Sequence, residues 1–184
     1  MMQFYDDKNI SRARKISYLA LFTALALVIW MVEEFFPKPV PWLKPGFSYI
    51  VIIAAMEVLG LFDAFVVAIV RVIIGSLLFG RLFSPSFLLS ISGTVSALVV
   101  MSLLFPLRKK YLSLAGISIA GAFAHISAQI FVAGALFYRP DAVLWLLPPM
   151  TIWTIFAGAI VGIITIIILE KFKAVKKVSD VNRV

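Results

Sequence analysis

The chain has 184 residues, 62% of them hydrophobic and 14% charged, and its mean hydropathy is +1.07. A soluble domain carries about 25% charged residues, so this composition excludes a soluble globular protein and indicates an all-α integral membrane protein. The net charge of +8 does not point to nucleic acid, because the basic residues sit beside apolar runs, where they orient a chain in the bilayer. There is no cysteine and one histidine, which excludes disulfides and thiolate catalysis and leaves no ready donor set for a metal. No cofactor is expected.

In chain order, the first element follows a basic stretch, Arg12, Arg14 and Lys15, and runs from Ile16 to about Phe36. Secretory h-regions span roughly 7–15 residues, so this run is expected to be retained as a first helix. Ala20 and Ala24 give it a small-xxx-small step that permits close docking of another helix. The loop PKPVPWLKPG (37–46) holds four prolines, Trp42 and Lys44. Proline removes donors and stiffens the backbone, so the loop is either a semi-rigid interfacial connector or a lid over a site.

A second helix is expected over 47–60, short at roughly 21 Å against a hydrocarbon core of ~30 Å. The third, 62–80, places Arg71 roughly 12 Å from either interface, too deep to snorkel. Charges at that depth face the protein interior. Arg71 therefore either pairs with a carboxylate (Glu33, Glu34 or Glu57) or contacts an anionic ligand. The fourth helix, 85–105, aligns Ser86, Ser90, Gly93 and Ala97. The fifth, 112–137, contains GISIAGAFAHISAQI (116–130), where Ser118, Gly121, His125 and Gln129 share one face at helical spacing. That polar stripe must face inward, to bond either a ligand or a neighbouring helix. The sixth, 143–169, aligns Thr151, Thr154, Gly158, Gly162 and Thr165, a small-residue face with a GxxxG step suited to packing.

Twelve of the 17 basic residues fall in the N-terminal segment (Lys8, Arg12, Arg14, Lys15), after helix 4 (Arg108, Lys109, Lys110) and in the tail (Lys171, Lys173, Lys176, Lys177, Arg183). With six helices these share one side, and the positive-inside rule makes it the cytoplasm. The expected organisation is a cytoplasmic segment (1–15), a six-helix membrane domain (16–170) and a basic cytoplasmic tail (171–184), multi-pass in the cell membrane with both termini inside.

Catalytic motifs are missing. GSLLFGRL (75–82) has two glycines but lacks the Lys and Ser/Thr of a P-loop. No aspartate-rich metal motif for prenyl diphosphates, HExxH or GxSxG occurs. The chain is not expected to be an enzyme.

RVIIGSLLFGRLFSPSFLLSISG (71–93) and GAFAHISAQ (121–129) closely resemble the family called Gx transporters. Many of its members carry the label heptaprenyl diphosphate synthase component I. That family is similar to the substrate-binding S components of energy-coupling factor (ECF) transporters. The resemblance covers roughly residues 16–168; in KPGFSYI (44–50), Tyr49 stands where the family usually has Asn. The resemblance implies a six-helix S component partnered by a transmembrane coupling subunit, contacted through Ala20 and Ala24, and by two cytoplasmic ATPases. It also implies a substrate site under the loop between helices 1 and 2.

The expectation is thus a substrate-capture subunit for ATP-driven uptake of a small anionic or zwitterionic, vitamin-like or precursor molecule. Arg71, Lys44, Arg81, His125, Gln129 and Glu33 or Glu34 would form its site, with Trp30 and Trp42 for stacking. The rival is an accessory membrane subunit of polyprenyl (heptaprenyl) diphosphate synthesis, whose soluble catalytic partner would supply the metal–diphosphate chemistry.

Overall fold

Lipid offers the backbone no hydrogen-bond partners, so a spanning segment must satisfy its own amides within helices or a closed barrel. The protein takes the helical route. A computed structural model describes residues 12–36, 45–137, 145 and 147–181, and among these there is no strand. The elements are α1 (Arg12–Glu34), α2 (Ser48–Val58), α3 (Leu61–Leu78), α4 (Pro85–Leu104), a 3-10 helix (Phe105–Lys109), α5 (Leu114–Phe137) and α6 (Leu147–Val181). All except α2 are long and apolar enough to cross a membrane.

Two boundaries differ from expectation. α1 begins at Arg12 rather than residue 16, and α6 continues to Val181 rather than stopping near 169. Lys, Arg and Glu are good helix formers, so the loss of apolar character at each end marks where lipid ends, not where the helix does. α6 has 35 residues, about 52 Å at 1.5 Å per residue, and its apolar part closes at Ala174. The basic tail is therefore, through Val181, a continuation of the last helix.

The short α2 lies at the centre, against α1, α3 and α6. Ile52, Ile53, Ala55 and Met56 are at most 1% exposed. A helix buried all round has no reason to be amphipathic, and its sequence, SYIVIIAAMEV, shows no polar face. Gly60, at φ 107°, turns the chain directly from α2 into α3, a conformation that favours a residue without Cβ. Gly80 makes a second left-handed turn at φ 63°. Ser84 then caps α4 by accepting from the Phe87 amide at 3.3 Å, with Pro85 in the first turn, where its missing N–H costs nothing.

α5 packs along both α4 and α6. A Cβ at Gly158 would stand 2.8 Å from the Ile119 Cα, and one at Gly162 would collide with Ala115. The GxxxG face thus lets α6 touch the backbone of α5. At the Arg12 end of the bundle two buried carboxylates are paired. Lys15 reaches Asp63 at 2.9 Å. Both terminal nitrogens of Arg108 reach the Glu57 carboxylate, Nη2 donating at 2.7 Å, the fork geometry that makes such pairs strong. Leu21, Leu25, Val28, Phe131, Phe156 and Ile163 are exposed and form part of the apolar surface that meets lipid. Ala20 and Ala24 are exposed as well.

Gly162→Ala should destabilise the bundle by about 1–3 kcal/mol through overpacking, read as a lower thermal midpoint in mild detergent. At Gly116 an added Cβ meets nothing nearer than 3.5 Å, so Gly116→Ala should leave the midpoint unchanged.

Candidate functional site

Arg71 stands at mid-helix in α3 and is only 3% exposed. At 1.5 Å per residue it lies about 15 Å from the start of the helix and about 10 Å from its end. Neither end offers it escape to water, so its charge must be solvated by protein. Nη1 donates to Ser48 Oγ at 2.6 Å and Nη2 to Thr94 Oγ1 at 3.5 Å. The guanidinium also lies 5.6 Å from the centroid of the Tyr49 ring, within cation–π range.

None of these partners is a carboxylate. Of the acidic residues expected to neutralise Arg71, Glu57 and Glu34 are engaged elsewhere, and Glu33 lines the same cavity as Arg71 without a hydrogen bond to it among the described residues. Glu57 is held by Arg108 at the other end of the bundle, and Glu34 accepts from Arg81 at 2.6 Å. Glu33 is 1% exposed and accepts from the Phe47 amide just before α2. Arg71 is thus a buried cation held by hydroxyls, an aromatic face and no ion pair. Its Nε has no hydrogen-bond partner among the described residues. An arginine at the centre of a bilayer costs at least ~2.5–3.5 kcal/mol, so this placement is retained against a real penalty.

The network continues from Tyr49. Its hydroxyl is 2.9 Å from His125 Nδ1 and 3.4 Å from Thr94 Oγ1, and the Tyr49 and His125 rings meet edge-on with centroids 5.5 Å apart. The phenol carries one proton, so it donates to one of these neighbours at a time. Gly93 makes room for the imidazole: a Cβ there would lie 2.8 Å from His125 Cε1 and 3.0 Å from Gln129 Cγ. Gln129 is 5% exposed, and its Oε1 has no partner among the described residues. Gly75 does the same for Trp30, whose ring a Cβ would meet at 2.8 Å.

Trp30, Ser48, Tyr49, Arg71, His125 and Gln129 line one cavity, to which all six α-helices contribute. The space open to the centres of water-sized spheres is about 110 Å³. One water needs roughly 10–15 Å³ by that measure, so the cavity has the size for a small organic molecule. It extends from the Glu34 end of the bundle past Arg71.

Of the residues singled out from sequence, Arg71, His125, Gln129, Glu33 and Arg81 line this cavity. Glu34 reaches it only as the partner of Arg81. Ala20 and Ala24 face away from the described bundle. Lys44, Trp42 and the rest of 37–44 lie outside the described residues. Ser48, Tyr49 and Thr94 were missed. Thr94 directly follows Gly93 of the small-residue face on α4, and Tyr49 stands where the resembled family usually has Asn, so both carried a signal.

Gly93→Ala should push the imidazole off Tyr49. The chain has a single histidine, so its ring resonances are unambiguous in NMR of the labelled protein. Gly93→Ala and Tyr49→Phe should both move them, and loss of the Tyr49 bond should cost about 1 kcal/mol of stability.

No curated protein and no solved structure matches the chain. The profile of one protein family, described as heptaprenyl diphosphate synthase component I, matches residues 22–168, a span that contains every cavity residue described above. This corrects the transport reading. The motifs around Arg71 and His125 led to the family, but the family is described as a biosynthetic component, and no finding ties the chain to an ECF S component, to a coupling subunit and ATPases, or to vitamin uptake. The chain is a multi-spanning membrane protein, and it belongs to the heptaprenyl diphosphate synthase component I family.

Proposed function

We propose that the protein is a non-catalytic membrane subunit of polyprenyl diphosphate synthesis, which holds a soluble chain-elongating partner against the bilayer. The family match over residues 22–168 carries this reading. The distribution of acidic groups supports it. Chemistry on a diphosphate calls for carboxylates converging on divalent metal ions. Here Asp63 and Glu57 are tied to Lys15 and Arg108 at one end of the bundle, while Glu33 and Glu34 serve Phe47 and Arg81 at the other. Among the described residues no group of three or more His, Cys, Asp or Glu side chains converges. The metal-bound diphosphate step then belongs to the partner.

A membrane subunit suits the product. Each isoprene unit adds apolar carbons worth ~0.8 kcal/mol per buried methylene, so a growing polyprenyl chain belongs in lipid. With six membrane passes and both termini cytoplasmic, as the positive-inside rule has it, the start of α1, the 3-10 helix after α4 and the extension of α6 stand together on the cytoplasmic side. Arg12, Arg14, Lys110, Lys171 and Lys173 are exposed there and offer a basic platform to an acidic soluble partner.

The test is affinity purification of the full chain from native membranes, followed by assay for elongation of an allylic diphosphate by isopentenyl diphosphate. The activity should co-purify, and the charge reversals Lys110→Glu, Lys171→Glu and Lys173→Glu should shift it to the soluble fraction. A purified complex without elongating activity, together with a synthase that stays on the membrane when this chain is deleted, would refute the proposal.

A further inference from the structure

The cavity is not needed to hold a soluble enzyme to the membrane, and the accessory role leaves it unexplained. It gathers buried polar side chains from several helices. Among the described residues the Arg71 Nε and the Gln129 Oε1 have no hydrogen-bond partner. Both are at least nine-tenths buried, and both line the same space. Apolar walls close the rest, with Trp30, Ile53, Met101 and Trp153 among them. We propose that this cavity binds a small molecule bearing one oxyanion, which accepts from Arg71, and a hydrogen-bond donor, which satisfies Gln129, on a compact apolar body.

The charge of the lining sets the class. Two cations and one anion, Arg71, Arg81 and Glu33, face the cavity, and Arg81 is already engaged by Glu34. That leaves Arg71 and Glu33, one charge of each sign, which suits a ligand that presents a single oxyanion to Arg71 and hydrogen-bond donors elsewhere, a monoanion or a zwitterion rather than a polyanion. A diphosphate would bring several negative charges toward Glu33 with Arg71 alone to offset them. The ligand is therefore distinct in kind from the diphosphates of the elongation reaction, and the inference stands whether or not the accessory role holds.

The experiment uses the full chain in phosphatidylcholine nanodiscs and isothermal titration calorimetry. The probes are 4-aminobenzoate, its uncharged methyl ester and inorganic pyrophosphate. The acid should bind at least about tenfold more tightly than the ester, the worth of a charge-assisted hydrogen bond. Arg71→Met should abolish that preference while still binding the ester, which shows that the variant is folded. Gln129→Leu should weaken both probes.

A second arm adds phosphatidylglycerol to the nanodiscs. A rise in wild-type midpoint that Arg71→Met lacks would identify a lipid headgroup as the source of the oxyanion and would support the site equally. The proposal falls if acid and ester bind alike to wild type, if the acid preference survives in Arg71→Met, if pyrophosphate binds more tightly than the acid, or if neither the acid nor phosphatidylglycerol has an Arg71-dependent effect.

Discussion

A guanidinium at mid-bilayer depth is the constraint around which the bundle is arranged. Lipid cannot solvate it, so protein must, and the groups that do so come from two other helices. Ser48 at the start of α2, Thr94 on α4 and the ring of Tyr49 converge on Arg71. This fixes the depth at which α2 begins. It also explains why α2 can be short: its first turn has to meet a side chain in the middle of α3, not the membrane surface. The glycines at 75 and 93 follow from the same requirement, because Trp30 and His125 can close around the polar centre only where the facing helix lacks a Cβ.

The two ends of the bundle treat charge differently. At the Arg12 end, each buried carboxylate has a basic partner within ion-pairing distance, and these pairs lock α1 to α3 and α2 to the 3-10 helix. Removing one partner of such a buried pair leaves an uncompensated charge and costs about 3–5 kcal/mol. Toward the Glu34 end the same residue types line a cavity, where Arg71 has only neutral partners. One end is thus fastened by direct ion pairs, whereas at the other a buried cation is held by neutral groups in an open cavity that it shares with Glu33. That asymmetry, rather than the presence of polar groups as such, distinguishes a site from a fastening.

Much of this was legible in the sequence. The expected limits of α3, α4 and α5 fall within two residues of those observed, because Gly60, Gly80 and Pro85 punctuate apolar runs. The stripe Ser118, His125, Gln129 could be placed on one face from spacing alone. The partners of Arg71 could not. A search for counter-charge looks to Glu33, Glu34 and Glu57, while the structure answers with hydroxyls, which carry no one-dimensional signal. Nor could the true ends of α1 and α6 be read, since hydropathy reports the edge of the lipid and says little about where a helix of Lys and Glu stops. The motif likeness led to the right family and the wrong role, because likeness of sequence carries no information about which partner a membrane subunit serves.

The shortness of α2 has an electrostatic consequence. A helix that begins inside the bundle brings the positive end of its dipole, equivalent to about half a charge, to the depth of Arg71. Ser48 and Tyr49, its first two residues, both line the cavity. Part of the positive potential there is therefore written in the main chain, where no side-chain replacement can erase it. The field would persist, weakened, through changes at Arg71 itself, and divergent members of the family could keep the polarity of the site while altering the residues that shape it.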